Sequence, residues 1–253
     1  MNENLLSTHG VLNCSFLRIR CLLKRMRVYL SLYALISIIV FTVYTPAGAG
    51  EVLKDVPGAV DPNAKYLFYM HGVAIEQGGP RAQSYDYSGI LKELANRGFV
   101  VIGEERSQVG IPMYAQKVAG QVRKLLSAGV PAKNITVAGH SKGGLITMVV
   151  MSFVADPDIA YVNFAGCGKP GSGFEGGYLQ FARNRASMAR GQLLSAYDQS
   201  DTICGSCKAA LDKMTNAVIK ERVLDIGGGH ELFYSPKANW LDILQAWAER
   251  RQQ

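Results

Sequence analysis

From residue 60 onward the hydrophobic positions follow two rhythms. Short runs rich in β-branched and aromatic residues occupy 66–70, 99–102, 135–138, 159–165, 193–196 and 223–226. These runs are apolar at nearly every position, the pattern of a strand buried on both faces rather than one with a wet side. Between and after them, apolar residues recur at helical spacing over 88–97, 113–128, 142–154, 178–189, 206–218 and 237–251. Pro112 and Pro236 stand where helices would start, and Gly98 and Gly129 where they would end. The alternation predicts an α/β domain with a mostly parallel central sheet of about six strands, flanked by helices. Groups that do chemistry in such a sheet belong at the carboxyl ends of the strands. No repeat or long linker interrupts the stretch, so 50–253 reads as one domain.

The first fifty residues follow a different pattern. Val28 to Tyr44 is a run of seventeen residues without a charge, preceded by Lys24, Arg25 and Arg27 and followed by small residues, with Ala47 and Ala49 at the −3 and −1 positions of a cleavage site. Residues 1–49 therefore read as a signal peptide cleaved after Ala49, with a retained N-terminal membrane anchor as the alternative. Either way the body of the protein is expected to be exported, periplasmic or secreted. A signal's basic region normally opens the chain, so Met26 is a second candidate start, which would leave residues 1–25 untranslated.

Composition changes meaning once the leader is set aside. The whole chain is 48% hydrophobic, with 27 basic against 20 acidic residues and a net charge of +7. Its apolar content excludes a disordered chain. Residues 1–49 hold five of the basic residues and one acid, so 50–253 carries 22 against 19, or +3. No basic footprint for nucleic acid remains. Cys167, Cys204 and Cys207 remain, in a compartment expected to be oxidising.

The segment with the most chemical content is Gly139-His140-Ser141-Lys142-Gly143, lying between an apolar strand and an apolar helix. Gly-x-Ser-x-Gly in that setting makes a sharp turn that exposes the serine and aims the Lys142 amide at its oxygen. Ser141 is thus the candidate nucleophile; a plain helix N-cap is the alternative. A base is needed. His140 sits on the turn itself and points elsewhere, whereas His230 follows three glycines after the last strand, on a loop able to bring an imidazole over the sheet edge. The acid that fixes the imidazole comes from the loop after the fifth strand, where Asp201 lies farther out and is preferred to Asp198 at the strand tip.

The order Ser141, Asp201, His230 along alternating strands resembles the α/β-hydrolase superfamily, over residues 66–247, with His71-Gly72 after an early strand as a further matching feature. The resemblance implies an α/β-hydrolase fold, a triad of Ser141, Asp201 and His230, and an oxyanion hole made by the amides of Lys142 and Val73. It also implies acyl transfer to water, with a small-molecule acyl substrate and without metal or cofactor. The family commonly has eight strands, the second antiparallel, and the segment before Tyr66 is too short for a convincing first pair.

Other signals compete. Gly166-Cys167-Gly168-Lys169-Pro170-Gly171 matches a dinucleotide fingerprint but does not run into a helix, so a flexible loop bordering the site is preferred. The segment 166–177 is too short for a large cap, which predicts an open site. Cys204-Gly205-Ser206-Cys207 reads as a structural disulfide, either Cys204–Cys207 or one of the two with Cys167, before a redox or zinc site. Glu104-Glu105-Arg106 reads as a solvated charge cluster, or as a substrate contact at the rim. Tyr85 and Tyr87 read as packed rings of a surface loop. The expected function is an exported serine hydrolase acting on carboxylic esters. A non-catalytic binding protein on the same scaffold, or a thiol-disulfide protein using Cys204 and Cys207, are the alternatives.

Overall fold

The computed structural model describes residues 50–250, so the leader expected at 1–49 lies outside the described residues. Seven strands form one sheet: β1 (Val52–Leu53), β2 (Tyr66–Met70), β3 (Val100–Ile102), β4 (Ile135–His140), β5 (Ala160–Phe164), β6 (Gly191–Asp198) and β7 (Ala217–Leu224). Their order is β1-β3-β2-β4-β5-β6-β7, and every pairing is parallel. The helices are α1 (Val73–Gly78), α2 (Tyr87–Asn96), α3 (Ile111–Ser127), α4 (Lys142–Val154), α5 (Glu175–Asn184), α6 (Lys208–Leu211) and α7 (Ala238–Ala248).

Strand side chains alternate between the two faces, and each face builds its own core. Tyr66, Phe68 and Met70 of β2 pack with Val118 and Val122 of α3 and Ile146 of α4. Leu67 and Tyr69 of the same strand pack with Ile90 and Leu94 of α2 and with Trp240 and Leu244 of α7. The helix that follows Ser141 is the most deeply set: Gly143 through Ser152 are all buried. Its two buried hydroxyls are satisfied within the helix, Thr147 donating to the Gly143 carbonyl at 3.0 Å and Ser152 to the Val149 carbonyl at 2.7 Å. An all-round apolar helix at the centre holds the turn before it rigidly.

The expected fold stands, and three of its details differ from the sequence reading. The sheet has seven strands rather than about six, because the short β1 adds to the edge beside β3 with only two pairs, Val52 with Val101 and Leu53 with Ile102. The last strand spans Ala217–Leu224 instead of 223–226. It lies at the other edge of the sheet and its residues are mostly only partly covered. Lys220, Glu221 and Arg222 are therefore tolerated within it, and they break the apolar run by which a buried strand is recognised. The helix expected over 206–218 shrinks to α6, followed by turns over 212–216, and only its last two positions, Ala217 and Val218, belong to the edge strand. Cys167, after β5, and Cys207, before α6, stand at disulfide distance with Cα atoms 5.3 Å apart, while Cys204 is unpaired and buried. Among the described residues no helix is long and apolar enough to cross a membrane.

Candidate active site

The chain leaves β2 toward β3 on one side and places β4 on the other, so the strand order reverses between β2 and β4. Crevices for ligands open outside the carboxyl ends at such a reversal. Here the two ends are His71-Gly72 and His140-Ser141, held level by the pairing of Met70 with Gly139. The turn at Ser141 works only with glycine on either side. A Cβ on Gly139 would lie 2.5 Å from the Gly143 carbonyl, and one on Gly143 only 2.1 Å from the Met70 oxygen. Ser141 itself takes φ 57° and ψ −122°, a strained conformation worth about 1–3 kcal/mol. The surrounding sheet enforces it, with the Ser141 amide donating to the Phe164 carbonyl at 2.8 Å.

Three groups from three strand ends meet at this turn. Gly227, Gly228 and Gly229 all have positive φ, which lets the loop after β7 double back and present His230. His230 Nδ1 lies 2.8 Å from Asp201 Oδ2, and its Nε2 lies 2.9 Å from Ser141 Oγ. A carboxylate only accepts, so the ring proton sits on Nδ1 and the Nε2 lone pair faces the serine hydroxyl. Burial pushes the Asp201 carboxyl up, but the hydrogen bonds from His230 and from the Cys204 and Ile203 amides outweigh it and hold the group below its ordinary value. Asp198 faces elsewhere: it accepts from the Ser200 amide and hydroxyl and from the Ile226 and Gly227 amides, tying the loop that carries His230 to the tip of β6.

Val73 and Lys142, the two expected oxyanion donors, are the first residues of α1 and α4, where helical amides have no partner within their helix. The backbone at Gly72 crowds Ser141 so closely that a Cβ there would lie 3.2 Å from Ser141 Cβ. Behind these amides lies a charged cluster that sequence reasoning missed. Glu76 of α1 accepts from Arg106 and from Lys142 Nζ, the latter at 2.6 Å, with side chains only 1% exposed for Glu76 and Arg106. Arg106 also donates to the His71 carbonyl. The reading of Glu104-Glu105-Arg106 as solvated fails at Arg106, whose charge is buried against Glu76, thirty positions away. Only the tertiary fold brings those two together.

His71 closes the same cluster. The Arg106 amide donates to its Nε2 at 2.9 Å, so its proton lies on Nδ1, which donates to the Gly72 carbonyl at 2.8 Å. Burial first, and the Arg106 charge second, lower its pKa to about 3, so it is neutral at physiological pH. His140 is fully buried and held well below its ordinary value, by burial and then by His230. Its ring centroid stands 4.6 Å from that of His230 and 5.3 Å from that of Phe233, forming an uncharged aromatic floor under the imidazole. Tyr85 lies 5.8 Å from it on another side.

The serine opens onto a cavity of about 160 Å³, lined in part by Ile111, Leu145, Gly173, Phe174 and Cys204. The glycine-rich segment 166–177 thus borders the site. Among the described residues, Asp201, Cys204 and His230 form the one donor cluster dense enough for a metal ion, their ligand atoms lying within 4.8 Å of one another. That donor set suits a metal poorly. Asp201 and His230 already spend their facing atoms on each other, and burial, then the Asp201 charge, push the Cys204 thiol up to about 12, whereas a metal takes the thiolate. The same protonated thiol, with Cys207 turned toward Cys167, is unlike the low-pKa pair of a thiol-disulfide enzyme.

No protein-family description matches the chain, and no curated protein matches it in sequence. Solved structures do. An acetyl xylan esterase from Paenibacillus sp. R4 aligns at 15% identity over 78% of this chain and 77% of its own, with a TM-score of 0.51. An S-formylglutathione hydrolase from Agrobacterium tumefaciens aligns at 15% identity over 75% of this chain and 85% of its own, also with a TM-score of 0.51. At that identity the likeness is one of fold.

Proposed function

Because the chain has the α/β-hydrolase fold, we propose that it is a serine hydrolase that cleaves carboxylic esters through Ser141, His230 and Asp201. The observation that carries this reading is His230, set between Asp201 at 2.8 Å and Ser141 at 2.9 Å with its two nitrogens in opposite roles. Ser141 Oγ attacks the ester carbonyl as His230 Nε2 takes its proton, and Asp201 stabilises the imidazolium that results. The Val73 and Lys142 amides hold the oxyanion of the tetrahedral intermediate. Collapse breaks the bond to the alcohol, which leaves with the proton from Nε2, and a water activated by the same nitrogen hydrolyses the acyl-enzyme. The names of the two structural neighbours are those of hydrolases, which supports the reaction class. The protein is further proposed to act after export, supported by the leader pattern and by the Cys167–Cys207 pair, a crosslink that persists in oxidising compartments.

A fluorophosphonate probe tests the assignment. Wild type is expected to be labelled at Ser141 and to hydrolyse p-nitrophenyl butyrate, and Ser141→Ala to do neither. A folded wild type that takes no label and turns over no ester would refute the enzyme reading and leave a binding protein on a hydrolase scaffold.

A further inference from the structure

The cavity at Ser141 does not end at Leu145. A second cavity of about 110 Å³ lies against Val149 and Phe181, and Ile111 and Gly177 line both. The two therefore adjoin at these residues, between the start of α3 and the length of α5, as two segments of a groove. Its floor is continuous, because Leu145 and Val149 are four residues apart on α4, on one face and both buried. Its far end is polar, at the exposed Gln180 and Asn184 and the half-buried Arg185. A groove with an apolar floor that starts at Ser141, with Lys142 at its near end and Arg185 at its far end, suits a hydrocarbon chain attached to the carbonyl under attack.

We propose that this groove holds the acyl chain of the substrate, and that the protein prefers esters of medium-chain fatty acids, of about eight to ten carbons, over acetyl esters. The inference rests on the reading of Ser141 as nucleophile. A cavity of about 150 Å³ takes one benzene ring, so the near segment holds about six carbons and the far one about four. Gly177 sets the passage between the segments. A Cβ there would stand 3.5 Å from Leu145 Cδ2 and 3.8 Å from Ile111 Cδ1, ordinary contact distances. Alanine therefore fits without a clash, while leucine fills the neck. Both raise helix propensity at an exposed position of α5, so the variants keep the fold.

The test compares p-nitrophenyl acetate and octanoate on the full chain, with Ser141→Ala as the blank. Each buried methylene is worth roughly fourfold in affinity. Wild type is expected to show kcat/KM for octanoate above that for acetate by roughly tenfold or more. Gly177→Leu is expected to lower this octanoate-to-acetate ratio by roughly tenfold or more at an equal or higher melting temperature, and Gly177→Ala to lower it by less. A wild type that hydrolyses acetate better than octanoate, or a Gly177→Leu variant with the wild-type ratio, overturns the acyl groove and leaves the esterase reading intact. A wild type with no Ser141-dependent turnover of any ester overturns both.

Discussion

Replacing both Cys167 and Cys207 by serine removes the crosslink between the loop after β5 and the loop that carries Asp201, without leaving a lone thiol to find a new partner. The two residues are 40 positions apart. Closing a loop of that length lowers the entropy of the unfolded chain by about 13 cal/mol/K, which corresponds to about 4 kcal/mol of stability at 25 °C. For a domain of this size each kcal/mol moves the melting temperature by about 2–4 °C, so the double variant is expected to melt roughly 8–16 °C lower. Activity at 25 °C is expected to survive in large part, because the two loops are laced independently of sulfur. Gly205 donates to the Cys167 carbonyl at 2.9 Å, Lys169 to the Ile203 carbonyl at 2.9 Å, and Gly168 bridges to Cys204. Thermal melts followed by circular dichroism, on a chain beginning at Gly50 with and without reductant, provide the measurement, and thiol titration in denaturant provides the count. One free thiol before reduction and three after is the expected result. Three thiols without reductant, or a double variant that melts within about 2 °C of wild type, would refute the crosslink and the energy assigned to it.

The two aspartates at the end of β6 separate by function: Asp201→Asn is expected to lower kcat by about 10⁴-fold through loss of the imidazole tautomer. Asp198→Asn, which touches only the loop amides and Ser200, is expected to cost about tenfold or less, and equal losses in ester assays would sink the assignment. Glu76→Gln leaves Arg106 buried without its counter-charge and is expected to destabilise the fold by about 3 kcal/mol and to reduce kcat more than it changes KM. Denaturant melts and steady-state kinetics test this, and a variant with wild-type kcat would show that the cluster does not position the amides. Cys204, its thiol pushed up to about 12 by burial and Asp201, is almost wholly protonated at pH 8. Iodoacetamide is therefore expected to spare it in the native protein at pH 8, with labelling rising about tenfold per pH unit above that; rapid labelling at pH 8 by mass spectrometry would contradict the burial.

What was legible in the sequence was what the chain encodes locally. The strands at 66–70, 135–138 and 159–165 are buried on both faces, so their composition alone marks them, and they lie within one or two residues of β2, β4 and β5. The helix expected at 142–154 has those same limits, because its apolar run begins at the Ser141 turn and stops at Ala155, which takes a left-handed conformation. Ser141, Asp201 and His230 each follow a strand, and a parallel sheet gathers strand ends at one edge whatever lies between them. The edges of the sheet were not legible: β1 is two residues long and β7 carries charges that a central strand could not hold. Nor was the environment of the site. Glu76, Arg106 and Lys142 come from three separate segments, and nothing in the residues around each one announces the others. His140 was visible only as a histidine on the same turn as Ser141, pointing elsewhere. Its place under His230 depends on Phe233 and Tyr85 arriving from distant parts of the chain.

The buried charges behind the Val73 and Lys142 amides are hard to explain by stability alone. Removing Glu76, Arg106 and part of Lys142 from water costs several kcal/mol per ion, and apolar residues of similar volume would serve a core as well or better. Among the described residues, Arg106 Nη1 has no hydrogen-bond partner at all, so even the satisfied cluster is incomplete. What apolar residues could not do is fix three backbone segments against one another by directional bonds. Glu76 is on α1, whose first amide is Val73; Lys142 supplies the other amide; and Arg106 grips the His71 carbonyl between them. An error of about 1 Å in the placement of a group that meets a transition state costs about 100-fold in rate, close to 3 kcal/mol, which is comparable with the cost of burying one such ion. The same reasoning accounts for the neutral His71, whose two nitrogens both bond to backbone groups: it sets the direction of the turn into α1 without adding a charge beside the Val73 and Lys142 amides. On this view the charged cluster serves the geometry of two amide groups, and the strained Ser141 between them is held from both sides.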